Sequence, residues 1–149
     1  VARRVILDTG VLIAIERGRL DIDAVLGADD AAIAAITAME LLAGVERADD
    51  AHKQVRAIHV EALLSSLPIE AYSLSVARVH ARLAVEAMSK GRPRSAYDMM
   101  IASTAAAANR VLLTTDASAG FGQLSGVRTE VLNIPVEQDS PGRPRLEDA

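Results

Sequence analysis

Four carboxylates dispersed along the sequence, Asp8, Glu40, Asp98 and Asp116, each stand where an apolar, strand-like run meets a helix or a turn. If those runs pair in one parallel sheet, the acids meet at its carboxyl edge, where open α/β sheets bind their ligands. Four acids without fixed cationic partners repel one another, and a divalent metal is the natural counter-charge. An all-oxygen donor set, in a chain without Cys and with no His placed among the acids, suits Mg²⁺ or Mn²⁺ better than zinc. A hard cation so placed activates water and neutralises charge on a phosphodiester, so metal-assisted hydrolysis is the chemistry expected. Taken singly, each acid has a plainer explanation. Asp8 and Asp116 could shape turns, and Glu40 and Asp98 could sit at the positive ends of helices. Their coincidence at one expected sheet edge is harder to attribute to capping.

Other chemistries have less support. His52, His59 and His80 fall on expected helices away from that edge and are expected at the surface or in packing. Ser73, Ser75, Ser95 and Ser103 have no His placed beside them by a readable motif, and no glycine-rich phosphate loop occurs.

The elements that must position the acids follow from periodicity and stop signals. Residues 4–8, RVILD, form an apolar run ending in an acid, as expected of a buried parallel strand, and Thr9 can cap a helix that stops near Gly18. The run AAIAAI, residues 31–36, is expected as a strand because Thr37 and Glu40 have capping-box spacing for the helix that follows, with Met39, Leu42 and Val45 on its apolar face. Val55, Ile58, Ala62 and Leu63 mark an amphipathic helix over 51–65, and residues 69–72 a weak strand. In residues 74–89, Val76, Val79, Leu83 and Ala87 recur at helical spacing, closed by Gly91 and Pro93, and the basic stretch from Lys90 to Arg94 falls in a loop. Asp98 opens a helix through Asn109 whose small face, Ile101, Ala102, Ala105 and Ala106, suits close packing on a sheet. VLLTTD, residues 111–116, repeats the opening design, and TEVLN, residues 129–133, is the last strand. The alternation gives an α/β domain with a mostly parallel central sheet over residues 1–135. Residues 136–149 are polar and Pro-rich, expected as a flexible tail.

Composition bounds the answer without deciding it. At 149 residues, 50% of them hydrophobic, the chain has the size of one domain. With Phe121 the single Phe and no Trp, the core must be packed by aliphatic residues. The absence of Cys excludes disulfides and thiolate metal sites. The apolar stretch at the amino terminus is broken by Asp8 and Glu16, which fits neither a signal peptide nor a membrane span, so a soluble, cytoplasmic protein is expected. A net charge of -4 argues against a globally electrostatic nucleic-acid binder but not against a nuclease whose acids are offset by metal.

Three blocks in order, VILDTGVLIA, ITAMELLAGVERA and YDMMIASTAAAANRVLLTTD, resemble the PIN-domain ribonucleases, most closely the VapC-type toxins of toxin-antitoxin pairs. With the last strand, the resemblance covers residues 3–134. It implies a PIN-like three-layer fold, with the sheet flanked by helices, and an acidic quartet of Asp8, Glu40, Asp98 and Asp116. Asp8 and Asp98 would be direct ligands of Mg²⁺, with Mn²⁺ as a substitute. Asp116 would complete or bridge the metal site, and Glu40 would orient water or take its proton, although sequence does not decide which acid is the base. Thr9 and Thr37 are expected as caps and Thr115 as a supporting hydroxyl. The resemblance further implies an endoribonuclease cutting structured RNA such as transfer or ribosomal RNA, a cognate antitoxin and a toxin homodimer. Where many relatives place an Asp or Asn before the Phe, this chain has Gly120, which leaves the number of metals open.

Two other classes share parts of this pattern. A phosphoacceptor receiver also gathers acids at a parallel sheet edge, but it usually pairs two acids after its first strand and carries a late Lys. Here Asp8 is followed by Thr9, and no Lys follows Lys90. A catalytically silent PIN-fold binding protein is the other alternative, with Gly120 as its slight support.

Overall fold

Strand β1, Arg4–Leu7, belongs to a five-stranded sheet in which alternate side chains serve two separate cores. Val5 and Leu7 enter one core and Ile6 the other. In β4, Val111–Thr114, Leu112 and Leu113 divide in the same way. A strand buried on both faces reads as an unbroken apolar run, so these segments show no alternation in sequence. The computed structural model describes residues 2–91 and 94–134. The remaining strands are β2, Asp30–Ala34, β3, Ile69–Glu70, and β5, Thr129–Val131, and the sheet order is β3-β2-β1-β4-β5 with every pair parallel.

One face of the sheet is covered by α1, Thr9–Glu16, α3, Ala35–Arg47, and α4, Asp50–Ser66, which pack Val11, Leu12, Leu41, Val45 and Val60 against Val5, Leu7 and Ile33. The other is covered by α5, Leu74–Ser89, and α6, Ala96–Ala107, which bring Leu83, Ala87, Ile101, Ala102 and Ala105 to Ile6 and Leu112. A short helix, α2, Ile22–Leu26, capped by the Asp21 carboxylate, was not apparent in the sequence. The three-layer α/β architecture expected from the sequence is therefore the one observed. Sequential crossovers run outward from β1 to β2 and β3, and the chain then returns to the other side of β1 with β4. The switch point of the sheet accordingly lies between β1 and β4.

Several local expectations are corrected. Asp8, not Thr9, is the N-cap of α1, its carboxylate accepting from the Thr9 N–H at 2.8 Å. The capping box at Thr37 and Glu40 does not form. The N-cap of helix α3 lies three residues earlier, at Ala34, without a side-chain cap bond, and Thr37 lies wholly buried in the first turns of the helix. The β2 strand consequently ends at Ala34 rather than at residue 36. Met39 and Leu42 in α3, and Val55 and Ile58 in α4, point outward, while Ala38, Leu41, Val45 and Val60 face the core. The β3 strand has two residues rather than four, β5 ends at Val131, and α6 opens at Ala96 on a Ser95 cap. Gly91 does close α5 with φ of 62°, whereas Pro93 and the polar tail lie outside the described residues.

Arg110, in the turn between α6 and β4, joins three strands. It is 5% exposed, and its Nε donates to Glu70 Oε1 at 2.8 Å. One terminal nitrogen donates to the Val5 and Asp30 carbonyls at 3.2 and 2.9 Å. A short edge strand such as β3 has few ladder bonds of its own, so this guanidinium substitutes for missing pairing. Replacing it by Ala strands Glu70 and two carbonyls, and Arg110→Ala is expected to lower the urea-unfolding free energy by about 3 kcal/mol.

Candidate active site

The carboxyl ends of β1 and β4 carry the first and last of the four acids to the switch point. Asp8 is fixed there by three bonds. Its N–H donates to the Leu113 carbonyl at 2.9 Å, Oδ1 accepts from the Thr9 N–H, and Oδ2 accepts from the Thr114 hydroxyl at 2.8 Å. The Thr114 oxygen in turn accepts from the Asp116 N–H at 3.1 Å, so one hydroxyl links both strand-end acids. The Asp116 carboxylate caps the 3₁₀ turn at Ala117–Ala119, accepting from the N–H and the hydroxyl of Ser118 at 2.9 and 2.6 Å.

The other two acids arrive on helices. Glu40 sits more than one turn inside α3, and its Oε1 accepts from the Thr9 hydroxyl at 2.9 Å. Asp98 is in the first turn of α6, its N–H satisfied by Ser95 Oγ at 3.1 Å. It follows a helix-to-helix turn rather than a strand, because α5 and α6 both lie in the crossover from β3 to β4. The expectation that each acid stands where a strand-like run meets a helix or a turn is thus met by Asp8 and Asp116, whereas Glu40 lies inside α3 and Asp98 follows a helix-to-helix turn.

The electrostatics tie the four together. Burial raises the Asp8 carboxyl above its ordinary pKa, against the hydrogen bonds from Thr114 and Thr9, and the charges of Asp98 and Asp116 raise it further. Burial likewise raises Glu40, with the Thr9 bond opposing and Asp8 and Asp98 adding to the rise. Asp116 moves the other way, held down by the Ser118 bonds. The basic side chains pair elsewhere, Arg3 with Asp29, Arg56 with Glu16 and Arg110 with Glu70, and among the described residues none forms an ion pair with the quartet. Also among the described residues, no three acids converge closely enough to enclose a bare ion. An acid cluster that is close enough for mutual repulsion, uncompensated and made only of oxygen donors still fits a cation such as Mg²⁺, which retains several waters and takes one or two direct carboxylates.

The hydroxyls that serve this site were only partly legible. Thr115 was singled out, but Thr114 makes the bonds. The Thr115 hydroxyl instead lies over the α1 backbone, 2.8 Å from where a Cβ on Gly10 would stand, which explains the glycine after Thr9. Thr9 donates its N–H to Asp8 and its hydroxyl to Glu40 rather than capping a helix, and the bonds of Ser118 to Asp116 have no signal in the sequence. His52 bonds its own helix cap, Asp49, and His80 bonds Tyr72, leaving the acids without a histidine neighbour, as expected.

The sequence matches the PIN domain family over residues 5–124. The chain belongs to that family. Among curated proteins it is 29% identical over 136 residues to Ribonuclease VapC of Rickettsia bellii strain RML369-C, covering 89% of this chain and 97% of that protein. The fold is similar to VapBC2 from Rickettsia felis bound to a promoter DNA fragment, with a TM-score of 0.78, 23% identity and coverage of 87% of this chain and 98% of that one. It is also similar to DNA-bound VapBC from Salmonella typhimurium, with a TM-score of 0.72, 26% identity and the same coverage. In this PIN domain the switch point is the acidic end of the sheet. The receiver-like alternative receives no support from these matches.

The raised Asp8 carboxyl makes stability depend on pH. With a native pKa above the unfolded one, its contribution to stability is full at low pH and is lost as pH rises through the raised value. Asn escapes that loss while keeping an acceptor for the Thr9 N–H. Metal-free Asp8→Asn is therefore expected to be more stable than the parent at neutral pH by about 1 kcal/mol. Thermal melts with chelator should show the gap closing as pH falls through the raised Asp8 pKa.

Proposed function

We propose that this chain is a Mg²⁺-dependent endoribonuclease, the toxin of a toxin-antitoxin pair, hydrolysing phosphodiesters of structured RNA such as transfer or ribosomal RNA. The observation that carries this is the pairing of two half-buried carboxylates, Asp8 and Glu40, joined through Thr9, whose N–H donates to one and hydroxyl to the other, with no cationic partner among the described residues, at the switch point of a PIN domain. The curated relatives named Ribonuclease VapC support the activity, and the VapBC complexes among its structural relatives support the antitoxin. Work in the cytoplasm accords with such substrates. Among the described residues no helix is long and apolar enough to cross a membrane.

In this reading Asp8, Asp98 and Asp116 hold the cation, Mg²⁺ or in its place Mn²⁺. When bound, the ion lowers the pKa of water and neutralises phosphate charge. The protein's own part is orientation and proton transfer. Thr9 and Thr114 each occupy one lone pair of Asp8 and so fix the directions of those that remain. Ser118 does the same for Asp116. Glu40 is the general base: Thr9 holds Oε1, no described residue bonds Oε2, and the raised pKa makes this carboxylate a better proton acceptor than an ordinary one.

Two surfaces support the protein partners. Ile15, Ile22, Ile58, Ala62, Leu63 and Leu67 line an apolar groove of about 380 Å³ across α1, α2 and α4, suited to an antitoxin segment. On α5, Leu74, Val85 and Met88 share one helical stripe and are 67%, 67% and 76% exposed, a face suited to a second copy of the chain. Charge at this stripe, as in Val85→Glu with Met88→Glu, is expected to convert a dimer to a monomer in sedimentation equilibrium.

The absence of three closely converging acids among the described residues favours one second reading, a PIN-fold protein that binds RNA or antitoxin without cutting. Cleavage of an RNA pool by antitoxin-free protein separates the two. Cutting is expected with Mg²⁺ and not with chelator, and Glu40→Gln should lower kcat by about 10²- to 10⁴-fold. Full activity of Glu40→Gln removes it as the base, and a parent protein that binds RNA yet never cuts it supports the silent alternative.

A further inference from the structure

The quartet repels the polyanion on which a ribonuclease must act, and the chain as a whole carries a net charge of -4. A nuclease site of this kind needs a fixed positive charge near the acids that the acids themselves do not consume. Arg94 meets both conditions. It lines a cleft of about 430 Å³ together with Asp98, Asp116, Ser118 and Gly120. Yet it forms no ion pair or hydrogen bond with a described residue, and its Nε is buried without any partner. A buried guanidinium donor left unmatched is costly unless a ligand supplies the acceptor.

The backbone opposite is shaped to admit this group. Gly120 adopts φ of 61°, and a Cβ there would stand 3.2 and 3.3 Å from the two terminal nitrogens of Arg94. A side chain at 120 would be strained in that backbone conformation and would press on the guanidinium fork. Arg94 also lines the adjoining cleft of about 390 Å³ beside Lys90 and Gln123, so it stands between the acidic cleft and its neighbour. Lys90 is already engaged, donating to Glu86 Oε1 at 2.8 Å and to the Gln123 carbonyl at 3.3 Å. Among the described residues, Arg94 is thus the basic group with unused donors at this junction, and its planar fork matches two phosphate oxygens at once.

We infer that Arg94 is an RNA-positioning residue, binding a backbone phosphate in the cleft it shares with Asp98 and Asp116 through the opening that Gly120 leaves. The inference rests on the nuclease reading above. It gives the loop before α6 two roles: Ser95 caps the helix that presents Asp98, and Arg94 fixes the strand to be cut.

The test uses a fluorescein-labelled, mixed-sequence single-stranded RNA and full-length protein carrying Glu40→Gln, so that the RNA stays intact. Adding Arg94→Gln is expected to weaken binding by about 10- to 100-fold. It should also reduce the slope of log affinity against log salt by about 0.7, one phosphate contact on a single strand. Arg94→Lys should keep that slope and recover part of the affinity. In the cleavage-competent chain, Arg94→Gln should raise KM more than it lowers kcat, with Mg²⁺ affinity by calorimetry unchanged. Gly120→Ala, which crowds the fork without removing charge, should weaken RNA binding as well, and it decides the matter if Arg94→Gln does not fold. An unchanged affinity and salt slope in folded Arg94→Gln, or in Gly120→Ala where only that variant folds, overturns the inference while leaving RNA cleavage by the parent intact. Loss of antitoxin binding alone assigns Arg94 to the protein partner and likewise overturns it. A parent protein that cuts no RNA defeats the underlying reading, a result distinct from either of these.

Discussion

Asp8 is held where water would not leave it, and much of the site's geometry descends from that constraint. A carboxylate at the end of a doubly buried strand loses solvation on entering the fold, and two more acids nearby add to its cost. Two hydrogen bonds to the carboxylate oppose that cost, from the first helical N–H at Thr9 and the hydroxyl of Thr114, and the Asp8 N–H itself donates to the Leu113 carbonyl. Each bond also fixes something else. The Leu113 contact sets the register between β1 and β4, the Thr9 contact starts α1, and Thr114 carries the alignment on to Asp116. The site and the centre of the sheet are therefore one structure, and the acid cannot be displaced without disturbing the switch point.

The same constraint explains why the site was legible while much of its surroundings was not. Asp8 and Asp116 are placed by strand ends, and strands buried on both faces announce themselves as short apolar runs bounded by acids. Glu40 and Asp98 are also marked by expected junctions, but their local settings differ from those expected, Glu40 lying inside α3 and Asp98 after a helix-to-helix turn. The Thr37 to Glu40 spacing has the form of a capping box, but Ala34 and Ala35 already turn into the helix, and tertiary burial of Thr37 overrides the local preference. Thr114 and Thr115 are equivalent in sequence. Only the strand's alternation, which turns Thr114 toward Asp8, tells them apart.

The misassigned helix faces have a different cause. Periodicity locates an apolar stripe but does not say what covers it, and assigning every such stripe to the core put Met39, Leu42, Val55 and Ile58 inside. They are outside, with Ile58 lining the apolar groove, because α3 and α4 carry more apolar surface than one sheet face can cover. The strong periodicity of α5 was right about Val76, Leu83 and Ala87, and silent about Leu74, Val85 and Met88 on its opposite side. An α/β domain of this size with apolar residues on both sides of its covering helices is one whose surfaces are shaped by partners as much as by folding.

Charge is distributed by the same division of labour. Arg3, Arg56 and Arg110 neutralise acids that serve the scaffold, and Arg110 does so at the edge where β3 is too short to hold itself. The catalytic candidates are left without such partners, so their repulsion persists until something from outside relieves it. If Arg94 had folded back onto Asp98 or Asp116, it would have lowered that repulsion and stabilised the isolated chain, but it would have consumed both the carboxylates proposed to hold a cation and the guanidinium proposed to hold a phosphate. Its separation from the acids, within the same cleft and with room made by Gly120, keeps two opposite charges available to two different ligands. On the proposed reading, the instability this leaves in the unliganded protein is what binding a cation and a phosphate would relieve.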